Sequence, residues 1–205
     1  MPVAPLLTVS AAVEGDVDEA VVRALLRHVG AAAGEVYGKQ GKQHIQQRIR
    51  GYNNAAMHGP WIVLVDLDRD AECAPPLRAS WLPGKAVRMC FRIAVRQTEA
   101  WLLADRERLA SFLAVSASRI PLEPERLQDS KEAMVNLARS SRRVEIREDM
   151  VPRPESGRRV GPAYSSRLIE FVGALWRPER AATRSDSLRR CITCLGSLVR
   201  AETSS

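Results

Sequence analysis

Trp61-Ile62-Val63-Leu64-Val65-Asp66-Leu67-Asp68 is the stretch that decides the fold. Its first five residues are apolar with no polar alternation, and Gly59-Pro60 stops whatever precedes them. A run of that length, ending in the charged turn Asp66-Leu67-Asp68-Arg69-Asp70, reads as a strand covered on both faces. Strands of that kind belong to parallel sheets with helices on either side, so helical and strand patterns should alternate outward from it. Upstream, residues 6–13 form an apolar run of strand length. Gly15 follows, then a helical segment over 17–29 with Val21, Val22, Leu25, Leu26 and Val29 along one face. Residues 31–37 suit a second strand ending at Gly38, and 41–57 an exposed helix. Downstream come a short helix over 75–82 and a buried strand over 89–95. Thr98 then stands where it can cap a helix carrying Glu99 to Leu103, which Asp105 can cap again or continue to Ala114. The class predicted is α/β: a Rossmann-like, mostly parallel sheet of about four strands, flanked by helices and joined by right-handed crossovers.

Beyond residue 118 the pattern changes. Prolines at 121 and 124 and a proline-bearing stretch over 152–162 separate helical segments near 129–140, 164–176 and 185–199; residues 144–150 are too short and charged to assign. The expected organisation is an α/β core over 1–117 with a mainly helical region, 118–205, packed on it. A chain of 205 residues with 45% hydrophobic and 27% charged content can build such a core without staples. No segment has the uncharged apolar length of a membrane span. Residues 1–13 lack a basic leader and read as a buried strand, not a signal peptide. The expectation is a cytoplasmic protein with no membrane partner. Four cysteines are too few for a disulfide framework, and the Cys191–Cys194 pair lies inside a helical pattern with no second pair. Reduced, mostly buried thiols are expected.

The formal charge is +7 and is unevenly placed. Residues 1–115 carry 14 basic and 12 acidic groups, and the remainder 17 and 12, with only four lysines in the whole chain. Arginine forks suit phosphate oxygens, which makes nucleic acid, DNA or RNA, a reasonable partner.

In open α/β sheets chemistry gathers at the carboxyl ends of strands, and three such ends here carry acids: Glu14, Asp66 with Asp68, and Glu99. Strand alternation puts Asp66 and Asp68 on one face. Two carboxylates so close repel unless a proton is shared or a cation intervenes. Mg2+, or Mn2+, is the natural counterion, since it takes oxygen ligands and keeps places for water or phosphate. A solvated turn at 66–70 and a simple helix-dipole role for Glu14 are the alternatives.

These residues bring a family into view. Val13-Glu14-Gly15 with Val65-Asp66-Leu67-Asp68 resembles the TOPRIM fold of topoisomerases, primases and overcoming-lysogenization-defect nucleases. More closely, Leu64–Arg69, Arg92-Ile93-Ala94-Val95, Glu99–Asp105, Val160–Tyr164, Trp176-Arg177-Pro178-Glu179 and Ser187-Leu188-Arg189-Arg190 resemble domain-of-unknown-function family 4276, a TOPRIM-like group. The resemblance implies magnesium-dependent phosphodiester chemistry. Glu14 would be the general acid or base, and Asp66 and Asp68 the metal ligands, with Asp70 a weaker third. Glu99 would be an auxiliary acid, and Arg96 or Lys131 would stabilise phosphate charge. It also implies a setting in phage defence or mobile elements, with an ATPase partner in trans. A non-catalytic regulatory or nucleic-acid-binding subunit of an ATPase complex is the alternative function, and a small-molecule phosphohydrolase a third.

Lys39 and Lys42 lie in a Gly38–Lys42 turn that is not a Walker A loop; it reads either as a plain turn or, with Arg69 and Arg96, as a set of substrate-phosphate contacts. The basic pairs Arg142-Arg143 and Arg158-Arg159 could meet a nucleic-acid backbone or simply face solvent. His28, His44 and His58 have no metal-ligand spacing. Trp101 and Trp176 are expected as core anchors.

Overall fold

The computed structural model describes residues 6–204. It is an α/β fold with a four-stranded, wholly parallel sheet. The strands are β1 (Thr8–Val13), β2 (Ala32–Gly38), β3 (Trp61–Asp66) and β4 (Met89–Ala94), in the order β2-β1-β3-β4. Between them run α1 (Asp16–His28), α2 (Lys42–Ala55) and α3 (Ala74–Trp81). From β1 the chain moves to one side of the sheet, and from β3 to the other. The carboxyl ends of these two neighbouring strands therefore flank a topological switch point, the crevice where open α/β sheets place their ligands.

Strand alternation divides the core in two. Val9, Ala11, Val13, Ile62, Leu64 and Cys90 face one layer, which contains α1 and the helices after β4. Ala12, Val63, Val65, Phe91 and Ile93 face the other, under α2 and α3. The helices after β4 are α4 (Thr98–Ala104), α5 (Arg106–Leu113), α6 (Ser130–Arg139), α7 (Val144–Met150), α8 (Tyr164–Ala174), α9 (Pro178–Ala181) and α10 (Asp186–Thr203). Their apolar faces share one continuous cluster with α1 and the sheet, so the C-terminal region completes the core. Trp101 is its anchor. It is fully buried, its indole N–H donates to Ser187 Oγ at 2.7 Å, and its carbonyl accepts from Trp176 Nε1 at 3.3 Å. Arg177 forks onto the buried Asp105 carboxylate, with Nη2 2.6 Å from Oδ1 and Nε 3.1 Å from Oδ2.

Several local expectations need correction. Thr98 does not cap α4: it is the helix's first residue, and its hydroxyl and N–H both donate to Asp66. Asp105 divides the anticipated long helix into α4 and α5, and its carboxylate binds Arg177 instead of capping. Residues 144–150 do form a helix, held by buried Ile146 and Met150. The strand expected from residue 6 begins at Thr8, with Leu6 exposed; the part of the 1–13 reading that falls on residues 1–5 lies outside the described residues. No helix among the described residues is long and apolar enough to cross a membrane.

Gly38, at the end of β2, is fixed by geometry. Its φ is +90°, and a Cβ there would lie 2.4 Å from the Val13 carbonyl oxygen and 2.5 Å from Ile45 Cδ1. Gly38→Ala is expected to cost about 2–4 kcal/mol, combining left-handed strain with a clash against backbone that cannot yield. Urea denaturation measures it; a loss below about 1 kcal/mol would mean the β1–β2 end relaxes freely.

Candidate active site at the switch point

Four carboxylates from three segments meet where β1 and β3 end. Glu14 follows β1, and its Oε1 accepts the Asp66 N–H at 2.7 Å, tying the two strand ends together. Asp18, in the first turn of α1, accepts the Gly15 N–H on Oδ2 at 3.0 Å. Asp66 closes β3 on the α1 side of the sheet; its Oδ1 accepts from Thr98 N at 2.8 Å and Thr98 Oγ1 at 2.9 Å. Glu99, the second residue of α4, is buried and accepts on Oε1 from the Tyr164 hydroxyl at 3.2 Å. The ammonium of Lys131, at the start of α6, stands 3.5 Å from that same oxygen.

The electrostatics are those of a crowded, poorly compensated set. Burial, then repulsion from Asp18, pushes Glu14 up to about 7 in spite of the Asp66 N–H. Burial, reinforced by Glu99, raises Asp18 to about 6. Asp66 is raised well above the ordinary carboxylate range by burial and then by Asp18, Glu99 and Glu14. The Thr98 hydroxyl has one proton to give, and Asp66 Oδ1 receives it at 2.9 Å. Against Glu99, Asp66 and Asp18 stands Lys131, whose pKa these acids hold above the usual lysine value although burial opposes its charge, while Lys42 acts on Glu14.

Asp68 and Asp70 belong to a different grouping. β3 stops at Asp66, and Asp68 takes a left-handed backbone conformation, φ +51°, so strand alternation no longer applies to it. Its carboxylate turns toward α2, where Lys42 Nζ lies 3.0 Å from Asp68 Oδ2 and 2.6 Å from Asp70 Oδ2. Gln97 joins the two groupings: its Nε2 donates to Asp68 Oδ1 at 3.2 Å, and its Oε1 accepts the Lys131 N–H at 3.0 Å.

Of the residues expected to meet substrate phosphate, Lys42 is committed to Asp68 and Asp70. Lys39 lies 2.8 Å from Glu19 and 3.6 Å from Asp16. Arg96 braces the loop after β3 through the carbonyls of Asp68 at 3.1 Å and Ala71 at 3.2 Å. Arg69 is exposed, and its charge acts on Asp129 beside Lys131. Sequence reasoning passed over Asp18, Gln97, Thr98 as a donor, and Tyr164. Only Asp18 had a usable signal: it stands four residues after Glu14 with a glycine turn between, but an acid in a first helical turn looks like a dipole partner.

A divalent ion can be tested against the donors. All are carboxylate oxygens, the chemistry magnesium takes, and the bonds described use Glu14 Oε1, Asp66 Oδ1 and Glu99 Oε1, not the second oxygen of each. Among the described residues no three His, Cys, Asp or Glu side chains form a group that could hold a metal ion. Magnesium is often bound through one or two carboxylates plus water and substrate phosphate, so an ion here would need an open site of that kind, since no closed cage is present among the described residues.

From Lys131 a basic surface leads away. Lys131, Arg139 and Arg159 line a concavity of about 340 Å³ with Glu132, Arg159 being paired with Asp129, and Glu148 lines the next, so the cations outnumber the acids there without being alone. Arg139 and Arg153 share the next, and Arg153 and Arg158 the one after. No protein-family model, curated protein or solved structure matches this chain.

Proposed function

We propose that the chain is a magnesium-dependent, TOPRIM-like enzyme that cleaves phosphodiester bonds in nucleic acid. The observation that carries this reading is the convergence of Glu14, Asp18, Asp66 and Glu99 beside the switch point, with Lys131 as the close counter-charge. Asp66, with Asp18 or Glu99, would hold the ion, which when bound polarises a phosphoryl group and neutralises developing charge. Glu14, titrating near pH 7, is poised to take or give a proton at working pH. Lys131 is placed to meet phosphate charge. Thr98 and Tyr164 hold the Asp66 and Glu99 carboxylates in position.

The arginine-lined path supports a polymeric substrate, since it gives successive phosphates cationic partners leading to the acids. Cleavage of DNA and RNA with Mg2+ or Mn2+, set against EDTA, tests the reading; no cleavage of any nucleic acid with either ion would sink it. Arg153→Glu with Arg158→Glu is expected to weaken single-stranded binding about tenfold, uniformly across sequences, and to lower the slope of log affinity against log salt by roughly 1–2. Fluorescence anisotropy over a salt series measures both, and an unchanged slope would remove these arginines from the path.

The ion pairs of Lys42 with Asp68 and Asp70 favour a second reading, a nucleic-acid-binding or regulatory subunit, because they neutralise two of the expected metal ligands without an ion. Nucleic-acid binding that is indifferent to Mg2+ and leads to no cleavage would support it.

A further inference from the structure

β4 is an edge of the sheet, and its outer side opens into a cavity of about 320 Å³ between α3 and α10. The ladder decides which backbone groups face that cavity. The N–H groups of Trp61 and Leu67 donate to the carbonyls of Arg88 and Ala94, so even-numbered residues of β4 turn their backbone groups toward β3. Odd-numbered residues turn theirs outward. At the start of the strand these are satisfied: the Met89 N–H donates to the Ala86 carbonyl at 3.1 Å, and the Met89 carbonyl accepts from Lys85 Nζ at 2.7 Å. Just past its end the Val95 N–H donates to Ser187 Oγ at 3.3 Å. Between them, the outward N–H and C=O groups of Phe91 and Ile93 have no partner among the described residues. Both residues line the cavity, and both are buried, 2% and 4% exposed. Buried backbone groups almost always find a partner, so this set marks an unfinished ladder.

We propose that β4 accepts a further strand here: a short extended segment of a partner protein, alternating acidic and apolar side chains. The backbone groups of Phe91 and Ile93 supply the hydrogen bonds that any added strand can use. The walls of the cavity select its side chains, which alternate between the two faces of the sheet as those of β4 do. On the α3 face the wall is apolar, made by Phe91, Ile93 and Val95 with Ala74 and Pro75. Arg92 points to the α10 face, and its Nε is buried with no hydrogen-bond partner. Charge favours an acidic occupant. The acids that line the cavity are already engaged: Asp186 pairs with Arg189 and Arg190, while Glu125 accepts from the hydroxyls of Ser185 and Ser187 and from the N–H groups of Asp186 and Ser187. Arg78 and Arg92 line the same cavity and have no ion-pair partner among the described residues. The uncompensated charge is therefore positive, and a carboxylate on the incoming strand complements it. A free edge of this kind is a liability unless something covers it, which the added strand would do.

The test is independent of the nuclease reading. Isotope-labelled full-length protein is titrated with the synthetic peptide acetyl-Glu-Val-Glu-Val-Glu-amide, and amide hydrogen exchange is followed by NMR. The expected result is saturable binding, with exchange at Phe91 and Ile93 slowed at least about tenfold and exchange at Cys90 and Arg92, which already face β3, unchanged. The counterpart with lysine in place of glutamate should not bind. Arg78 is exposed, so Arg78→Glu leaves the fold intact, and it should weaken the glutamate peptide at least about fivefold. Equal binding of the lysine peptide, saturation without protection of Phe91 and Ile93, or no saturation by about 1 mM peptide overturns the proposal. Protection of those two amides that is present without peptide and grows with protein concentration gives the edge to a second copy of the chain, and overturns it equally.

Discussion

Asp66→Asn is expected to make the protein more stable and to abolish phosphodiester cleavage. The carboxylate closes β3 beside Asp18, Glu99 and Glu14, and burial and those neighbours raise it well above the ordinary carboxylate range. Asparagine keeps Oδ1, so both Thr98 bonds survive, while an acid that the native fold must either protonate or hold charged beside three others disappears. Relief of like-charge repulsion should raise stability by about 2 kcal/mol, or roughly 4–8 °C for a chain of this size. The same change removes the strand-end carboxylate best placed to hold an ion, and cleavage should fall by about 10³-fold or more, some 4 kcal/mol of transition-state stabilisation. Thermal unfolding and a cleavage time course on one preparation give both numbers. The opposite signs matter, because a merely misfolded variant would lose both together. Wild-type cleavage in Asp66→Asn would dismiss the site. A lowered Tm would mean that the carboxylate is ionised and already compensated in the native protein.

The contrast with Asp68 shows where sequence reasoning reaches its limit. The sheet was legible because its signals are local and redundant: unbroken apolar runs for β3 and β4, a 3.6-residue period for α1, and glycines or prolines between them. The polarity of a parallel sheet then places Glu14, Asp66 and Glu99 at one end without further information. Where each side chain goes from there is not local. Whether Asp68 continues the strand depends on one backbone angle, and its left-handed turn gives it to Lys42, twenty-six residues earlier in the chain. Lys131 and Tyr164 arrive from helices whose docking is set by the shared apolar cluster around Trp101, a tertiary outcome that no spacing encodes. Asp18 was visible in the sequence but looked like the ordinary acid of a helix's first turn; its partners Gly15 and Glu99 give it another character.

The same crowding predicts an unusual dependence of stability on pH. Stability rises with pH wherever the unfolded chain binds more protons than the native one, and falls in the opposite case. Glu14 has an ordinary value of 4.5 and a native value of about 7, and Asp18 moves from 3.8 to about 6. Between roughly pH 4.5 and 7, then, the native protein holds protons that the unfolded chain has released. Each such group costs nothing below its unfolded value and costs progressively more as pH rises to its native value. The Glu14 shift alone corresponds to about 3 kcal/mol, and coupling with Asp18 and Asp66 keeps the contributions from simply adding. Acids with the usual sign titrate lower: Glu19, held down by Lys39, and Asp129, held down against burial by the Glu132 N–H and Arg159, lose their stabilising effect only beneath their ordinary values. Among the carboxylates the window above pH 5 therefore belongs to the site, and Cys194, whose lowered thiol would act with the opposite sign, is taken out of the comparison by measuring in Cys194→Ser. In EDTA the Tm should be highest near pH 5 and fall by roughly 6–10 °C by pH 8. Glu14→Gln should remove a substantial part of that slope, since its amide has no proton to lose. Magnesium should raise Tm more at pH 8 than at pH 5, because it competes with protons for the same oxygens. A profile that is flat or rising from pH 5 to 8 in EDTA would mean that Lys131 and Lys42 suffice to keep every carboxylate ionised, and Glu14 would then have no proton to transfer at neutral pH.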